Sequence, residues 1–178
     1  MLKQFNLGKT AVFIDAANIL YSQRTLGWNI DYQKLAAYLR GETELVGLYY
    51  YTGKVGSEQK QNAFIKKIQS FGYTVIAKEV KFIRIENAIL PKGNLDVELA
   101  LDAFRLKDMF QTLLLFSGDS DFAYLLDLLK RDKKRTFVVS TRGHIAKELL
   151  GRAKYIPLPK LRSEIEMIKG PDKPAPEV

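Results

Sequence analysis

Cysteine is absent from this chain of 178 residues, and histidine occurs once, at position 144. Disulfides and thiolate metal sites are therefore excluded, as is a histidine-rich zinc site. A Ser-His-Asp triad would have to be built on His144 alone. Long apolar runs are missing too: nothing approaches the ~20 residues that a bilayer span requires, and the N-terminus shows no signal-like stretch. The expectation is a soluble, cytoplasmic protein. Three of the six prolines fall between positions 171 and 176, so residues 169–178 read as a disordered tail and residues 1–168 as one domain. With 47% hydrophobic and 27% charged residues, the remainder is an ordinary globular composition.

The formal charge of +8 is unevenly spread. Residues 130–154 hold nine basic side chains against two acidic ones. Such a region suits a polyanion, because neutralised phosphates release counterions; a solvated helix face is the plain alternative. Lys130, Arg131, Lys133, Lys134 and Arg142 are the candidate phosphate-backbone contacts within it, together with Lys92 further upstream.

Short continuous apolar runs alternate with helical patterns. Residues 11–14 and 112–116 read as buried central strands, with further strands at 44–51, 73–77 and 135–139 and an edge strand at 155–158. Helices are expected over 31–40, 57–71, 95–110, 121–131 and 145–150, with Asp31 and Asn94 as caps. Alternation of charged and apolar residues over 78–90 suggests an exposed strand or hairpin. The pattern is that of a mostly parallel α/β sheet covered on both faces, in which ligands bind beyond the carboxyl ends of the strands.

That edge is where acids collect. The first strand ends in Asp15, followed by Asn18; the run Ser117-Gly118-Asp119-Ser120-Asp121 follows residues 112–116; Asp96 opens a helix. Carboxylates crowded together are costly unless a cation holds them, and hard oxygen ligands select Mg²⁺ or Mn²⁺. Capping and helix dipoles account for Asp96, Asp119 and Asp121 singly, but not for Asp15 after an apolar strand, nor for the coincidence of all four. Asp102 falls on a stripe with Leu95, Leu99 and Leu106, four residues beyond Glu98. It reads as a second-metal or outer-shell acid, or as a partner of Arg105. The run Tyr49-Tyr50-Tyr51 offers base stacking or, more plainly, sheet packing; Trp28, Tyr32 and His144 are also more economically read as structural.

The stretches 12–18 (Val-Phe-Ile-Asp-Ala-Ala-Asn), 92–102 (Lys-Gly-Asn-Leu-Asp-Val-Glu-Leu-Ala-Leu-Asp) and 115–122 (Leu-Phe-Ser-Gly-Asp-Ser-Asp-Phe) together resemble the NYN domain, in particular its LabA-like group, related to PIN-domain nucleases. The resemblance spans roughly residues 9–158. It implies a three-layer, PIN-like α/β/α sandwich and a metal-dependent ribonuclease. Asp15, Asp96, Asp119 and Asp121 would then be the catalytic, metal-holding acids, with Asp102 a further one. Asn18 and Ser117 would orient the acids or a water, and RNA would be the partner, with self-association open. The extra residue between Lys92-Gly93 and Asp96 departs from the shorter Lys-Gly-Val-Asp of many members.

Other chemistries fit less well. A haloacid-dehalogenase phosphatase needs a second Asp where Ala17 stands, and a dinucleotide binder needs glycines that residues 15–20 lack. A response-regulator receiver distributes its acids differently. The rival reading is an inactive relative that binds RNA or a protein, and a toxin-like effector nuclease is a third.

Overall fold

The computed structural model describes residues 1–54, 59–85, 88–92 and 95–168, the backbone alone for 81–92. The expected cap Asn94 and tail 169–178 lie outside the described residues. Six strands form one sheet: β1 (Lys9–Asp15), β2 (Glu44–Lys54), β3 (Thr74–Glu79), β6 (Thr112–Phe116), β7 (Arg135–Ser140) and β8 (Lys154–Pro157). Every neighbouring pair in it is parallel. Between β3 and β6 the chain forms a separate antiparallel hairpin, β4 (Lys81–Ile85) and β5 (Ala88–Lys92).

The strand order is β3-β2-β1-β6-β7-β8. The chain thus starts in the middle, winds outward one way, returns over the sheet and winds outward the other way. Where the winding reverses, between β1 and β6, the connections leave to opposite faces and a crevice opens at the carboxyl edge. β1 and β6 owe this central place to sequence. Each contains an unbroken apolar run, residues 11–14 and 113–116, and only strands covered on both faces can bury one.

Helices cover both faces. α1 (Ala16–Leu26), α2 (Tyr32–Glu42), α3 (Gln59–Ser70) and α7 (Arg162–Ile165) pack over the face carrying Val12, Ile14, Leu114 and Phe116. α4 (Asp96–Arg105), α5 (Ala123–Arg131) and α6 (Lys147–Leu150) pack over the face carrying Phe13, Leu113 and Leu115. The result is the three-layer architecture expected, with the sheet wholly parallel among the described residues.

Two details differ from expectation, and a third agrees with the plainer of two readings. α1 follows β1 without an intervening loop, whereas no helix was expected between residues 16 and 30. Its buried positions include Ser22 and Gln23, while Leu20 and Tyr21 are exposed. The helix expected over 95–110 ends at Arg105, and Lys107–Met109 is a 3-10 turn. The tyrosine run is mostly packing: Tyr50 and Tyr51 are buried, and Tyr49 stacks on Phe13 with ring centroids 4.6 Å apart.

Gly118 marks the tightest approach at the carboxyl edge. Its carbonyl accepts the Ala146 N–H at 2.8 Å, drawing the loop after β7 against the end of β6. A Cβ there would fall inside the van der Waals envelope of the His144 carbonyl oxygen and 2.6 Å from Ser140 Oγ. Gly118→Ala is expected to cost about 1–3 kcal/mol in chemical denaturation, as backbone overpacking does. Gly151→Ala, where nothing lies within 4 Å, should stay within about 0.5 kcal/mol of the parent.

Candidate metal centre and cleft

Asp15 is the last residue of β1 and at the same time the N-cap of α1. Its Oδ1 accepts the N–H groups of Ala17 and Asn18 at 3.1 and 3.2 Å. Capping therefore does account for this acid, contrary to the sequence expectation, because no loop separates strand from helix. Its other oxygen, Oδ2, accepts the Ser117 hydroxyl at 2.9 Å. Ser117 Oγ in turn accepts the Asp119 N–H at 3.2 Å. The buried hydroxyl thus ties the carboxylate ending β1 to the loop ending β6.

A second stitch runs beside the first: the Gly118 N–H donates to Asn18 Oδ1 at 3.0 Å. Asn18 and Ser117 thus tie the start of α1 and the end of β1 to the loop after β6. The strand pairing prepares this, since Ile14 stands opposite Phe116 and brings the following residues level.

Asp119 caps the 3-10 turn Ser120–Phe122, accepting the Asp121 N–H at 3.0 Å. Asp96 arrives from elsewhere in the chain, in the first turn of α4. One carboxylate oxygen from each of Asp96, Asp119 and Asp121 lies within 4.8 Å of the others. Asp96 and Asp119 are half-buried and Asp121 is exposed. This oxygen-only donor set fits a hard divalent cation of the Mg²⁺ or Mn²⁺ kind.

Asp15 stands just outside this trio. Burial holds its carboxyl above the ordinary range, and repulsion from Asp119 adds to that. The Asn18 N–H, the Ser117 hydroxyl and the Ala17 N–H pull the other way without cancelling the effect. The N-termini of α1, α4 and the 3-10 turn all point here, and their positive dipole ends offset part of the crowding.

Asp102 takes the partner offered as the plain alternative, Arg105, and a second one, Tyr51. Its Oδ2 accepts the Tyr51 hydroxyl at 3.0 Å and its Oδ1 the Arg105 guanidinium at 3.0 Å. It does not belong to the trio. Because Tyr51 stands opposite Asp15 in the β1–β2 register, this bond fixes α4 to the sheet at the level of the acids.

The basic candidates separate. Arg142 follows β7 and lies at the acid edge. Lys130 and Arg131 end α5, and Lys133 and Lys134 follow it; the helix runs from the acid edge back across the sheet. They therefore sit at the opposite edge, a helix of nine residues away or ~13 Å along its axis. Lys134 donates there to the Phe110 carbonyl, and Arg135 to the carbonyls of Asn6 and Leu7. Lys92 ends β5, and its side chain lies outside the described residues. His144 is engaged by Thr25 at 2.7 Å.

The acids open into a cleft of about 990 Å³. Asp15, Asp96 and Asp119 line one end, and Tyr21, Tyr32, Tyr50 and Phe64 line the other. None of the described residues lining it is Lys or Arg. Of this second end the sequence offered only Tyr32 and Tyr50, read as packing more than contact; Tyr21 was not singled out, and Phe64 was taken only as part of a helical stripe.

Residues 9–159 match the NYN domain family model. The chain is 37% identical to Low amplitude and bright protein LabA of Synechococcus elongatus, over 94% of this chain and 93% of that protein. It is similar in fold to a crystal structure of a protein of unknown function from Vibrio parahaemolyticus, with a TM-score of 0.74, 22% identity, and coverage of 91% of this chain and 98% of that one. No helix among the described residues is long and apolar enough to cross a membrane.

Asp15 yields a prediction about the acid group. Its carboxyl holds a proton to higher pH in the folded than in the unfolded chain, so its contribution to stability is lost as pH rises through the folded value. Without divalent ions, Asp15→Asn should therefore flatten the decline in Tm from acidic to neutral pH. The variant should be the more stable protein at neutral pH. Thermal melts across pH check this; parallel curves for the two proteins would refute it.

Proposed function

The chain belongs to the NYN domain family, and on that footing we propose that it is a ribonuclease dependent on Mg²⁺ or Mn²⁺, hydrolysing RNA phosphodiester bonds at the acidic end of the cleft. The observation that carries this reading is the convergence of Asp96, Asp119 and Asp121 to within 4.8 Å from two separate parts of the chain. Convergence of three carboxylates is unfavourable by itself and becomes favourable around a divalent ion.

Asp96, Asp119 and Asp121 would hold the ion, with Asp15 adding a fourth negative group beside Asp119. Once bound, such an ion polarises a phosphoryl oxygen and acidifies a coordinated water. The chain's own residues supply the positioning. Ser117 keeps the Asp15 carboxylate and the Asp119 backbone in one arrangement. Asn18 anchors the loop at Gly118, and the Tyr51–Asp102 bond fixes the helix that carries Asp96. Arg142 stands at the same edge for a flanking phosphate. The protein acts on RNA in the cytoplasm.

One observation favours a second reading, that of an inactive RNA-binding or protein-interaction module. Asp15 and Asp119 both cap helical turns, and Asp96 faces a helix dipole, so all three have structural reasons to be present.

Cleavage of labelled single-stranded RNA separates the two. The wild type should cleave with Mn²⁺ or Mg²⁺ and stop with chelator, and Asp119→Asn should lower the rate by more than about a hundredfold. Mn²⁺ should also raise the wild-type Tm, equivalent to about 2.7 kcal/mol at a hundredfold excess over Kd, and leave Asp119→Asn unmoved. RNA binding that persists in chelator, with no cleavage under either metal, would establish the inactive module.

A further inference from the structure

The aromatic end of the cleft has no part in holding an ion, and its construction is unusual for a helix face. On α3, Gln61, Phe64 and Ile68 share one stripe, at three- and four-residue spacing. Ile68 is 1% exposed, as an inward residue should be, yet Phe64 on the same stripe is 41% exposed. At the height of Phe64 the helical layer opens onto the cleft. Facing the same space, α1 presents Tyr21 at 58% exposure.

The floor beneath them is rigid and aromatic. Tyr32 and Tyr50 meet edge to face at 5.2 Å, and Phe64 leans on both, at 6.1 and 6.3 Å. The Tyr50 hydroxyl is spent on Tyr32, and the Tyr73 hydroxyl on the Tyr32 carbonyl at 2.8 Å. These two hydroxyls being engaged, the buried tyrosines offer a ligand chiefly ring surface.

From this we infer that the aromatic end is a subsite for one unpaired nucleobase of the strand whose phosphodiester lies at the acids, with Phe64 and Tyr21 as its stacking surfaces. The inference rests on the nuclease reading for the strand's position, and it adds the substrate class: single-stranded and base-bearing at this point. Three observations carry it. Asp15 caps α1, and Tyr21 lies six residues along that helix, ~9 Å of rise, so acids and rings sit in one continuous cavity. No described Lys or Arg lines the cavity itself, and Arg24, which stands 5.7 Å over the Tyr21 ring, adds a planar cation that a stacked base can share. A planar base stacks on aromatic rings whatever its identity, and a base paired in a duplex cannot leave its stack to do so.

The test reads binding without turnover, in Ca²⁺, using hexauridylate and an abasic sugar-phosphate hexamer of equal charge. Phe64→Ala should weaken binding of hexauridylate roughly 5- to 150-fold and leave the abasic hexamer within about twofold. Tyr21→Ala, at a more exposed position, should act in the same direction. Phe64→Trp should retain affinity, and its added indole fluorescence should be quenched by hexauridylate but not by the abasic hexamer. That variant reports even where the alanine variants fold poorly. Equal losses for both hexamers, no loss for either, unquenched indole, or duplex RNA binding as tightly as the single strand would each overturn the subsite. Wild-type cleavage that continues in that case leaves the nuclease reading standing; base discrimination without cleavage leaves the subsite standing and removes the nuclease.

Discussion

Two hydrogen bonds across the point where the sheet reverses its winding hold the candidate centre together. Ser117 Oγ donates to Asp15, and the Gly118 N–H donates to Asn18. The first joins the last residue of β1, and the second the first turn of α1, to the loop that follows β6. Strand pairing brings these ends level, but pairing acts on backbones and leaves the side chains beyond the last rung free. The stitches remove that freedom. Because Ser117 both donates to Asp15 and accepts from the Asp119 N–H, displacement of one loop is felt by the other.

The electrostatics follow from this constraint. Acids held in place cannot relax apart, so their repulsion is stored in the fold, and Asp15 shows it as a carboxyl pushed up by burial and by Asp119. Three helical N-termini aimed at the same point make the arrangement tolerable. A group destabilised in this way is common at sites of chemistry, where the stability given up is the counterpart of a ready affinity for a cation. The opposite end of the cleft is built on another principle, with buried tyrosines bonded to one another and aromatic rings turned to the cavity.

Legibility in the sequence followed the physics of each element. β1 and β6 were plain because a doubly covered strand must be apolar at every position, and the acids ending them were placed at one edge by topology alone. α1 was hidden by what its residues do: Leu20 and Tyr21 face the cleft while Ser22 and Gln23 are buried, which blurs the helical period. The basic cluster was legible as charge but not as a surface, since α5 and β7 run in opposite senses and separate neighbours in sequence to opposite edges. Asp102 among leucines was rightly singled out as anomalous. The Tyr51 hydroxyl that answers it comes from 51 residues upstream, beyond the reach of any local pattern.

The winding order has a consequence for how the centre comes into being. Its acids are contributed by positions 15, 96, 119 and 121, and β6 can pair with β1 only after the whole of the first half-sheet and the β4–β5 hairpin have been laid down. The centre therefore exists only while both halves of the sheet are in place, and any opening of the β1–β6 pairing takes it apart.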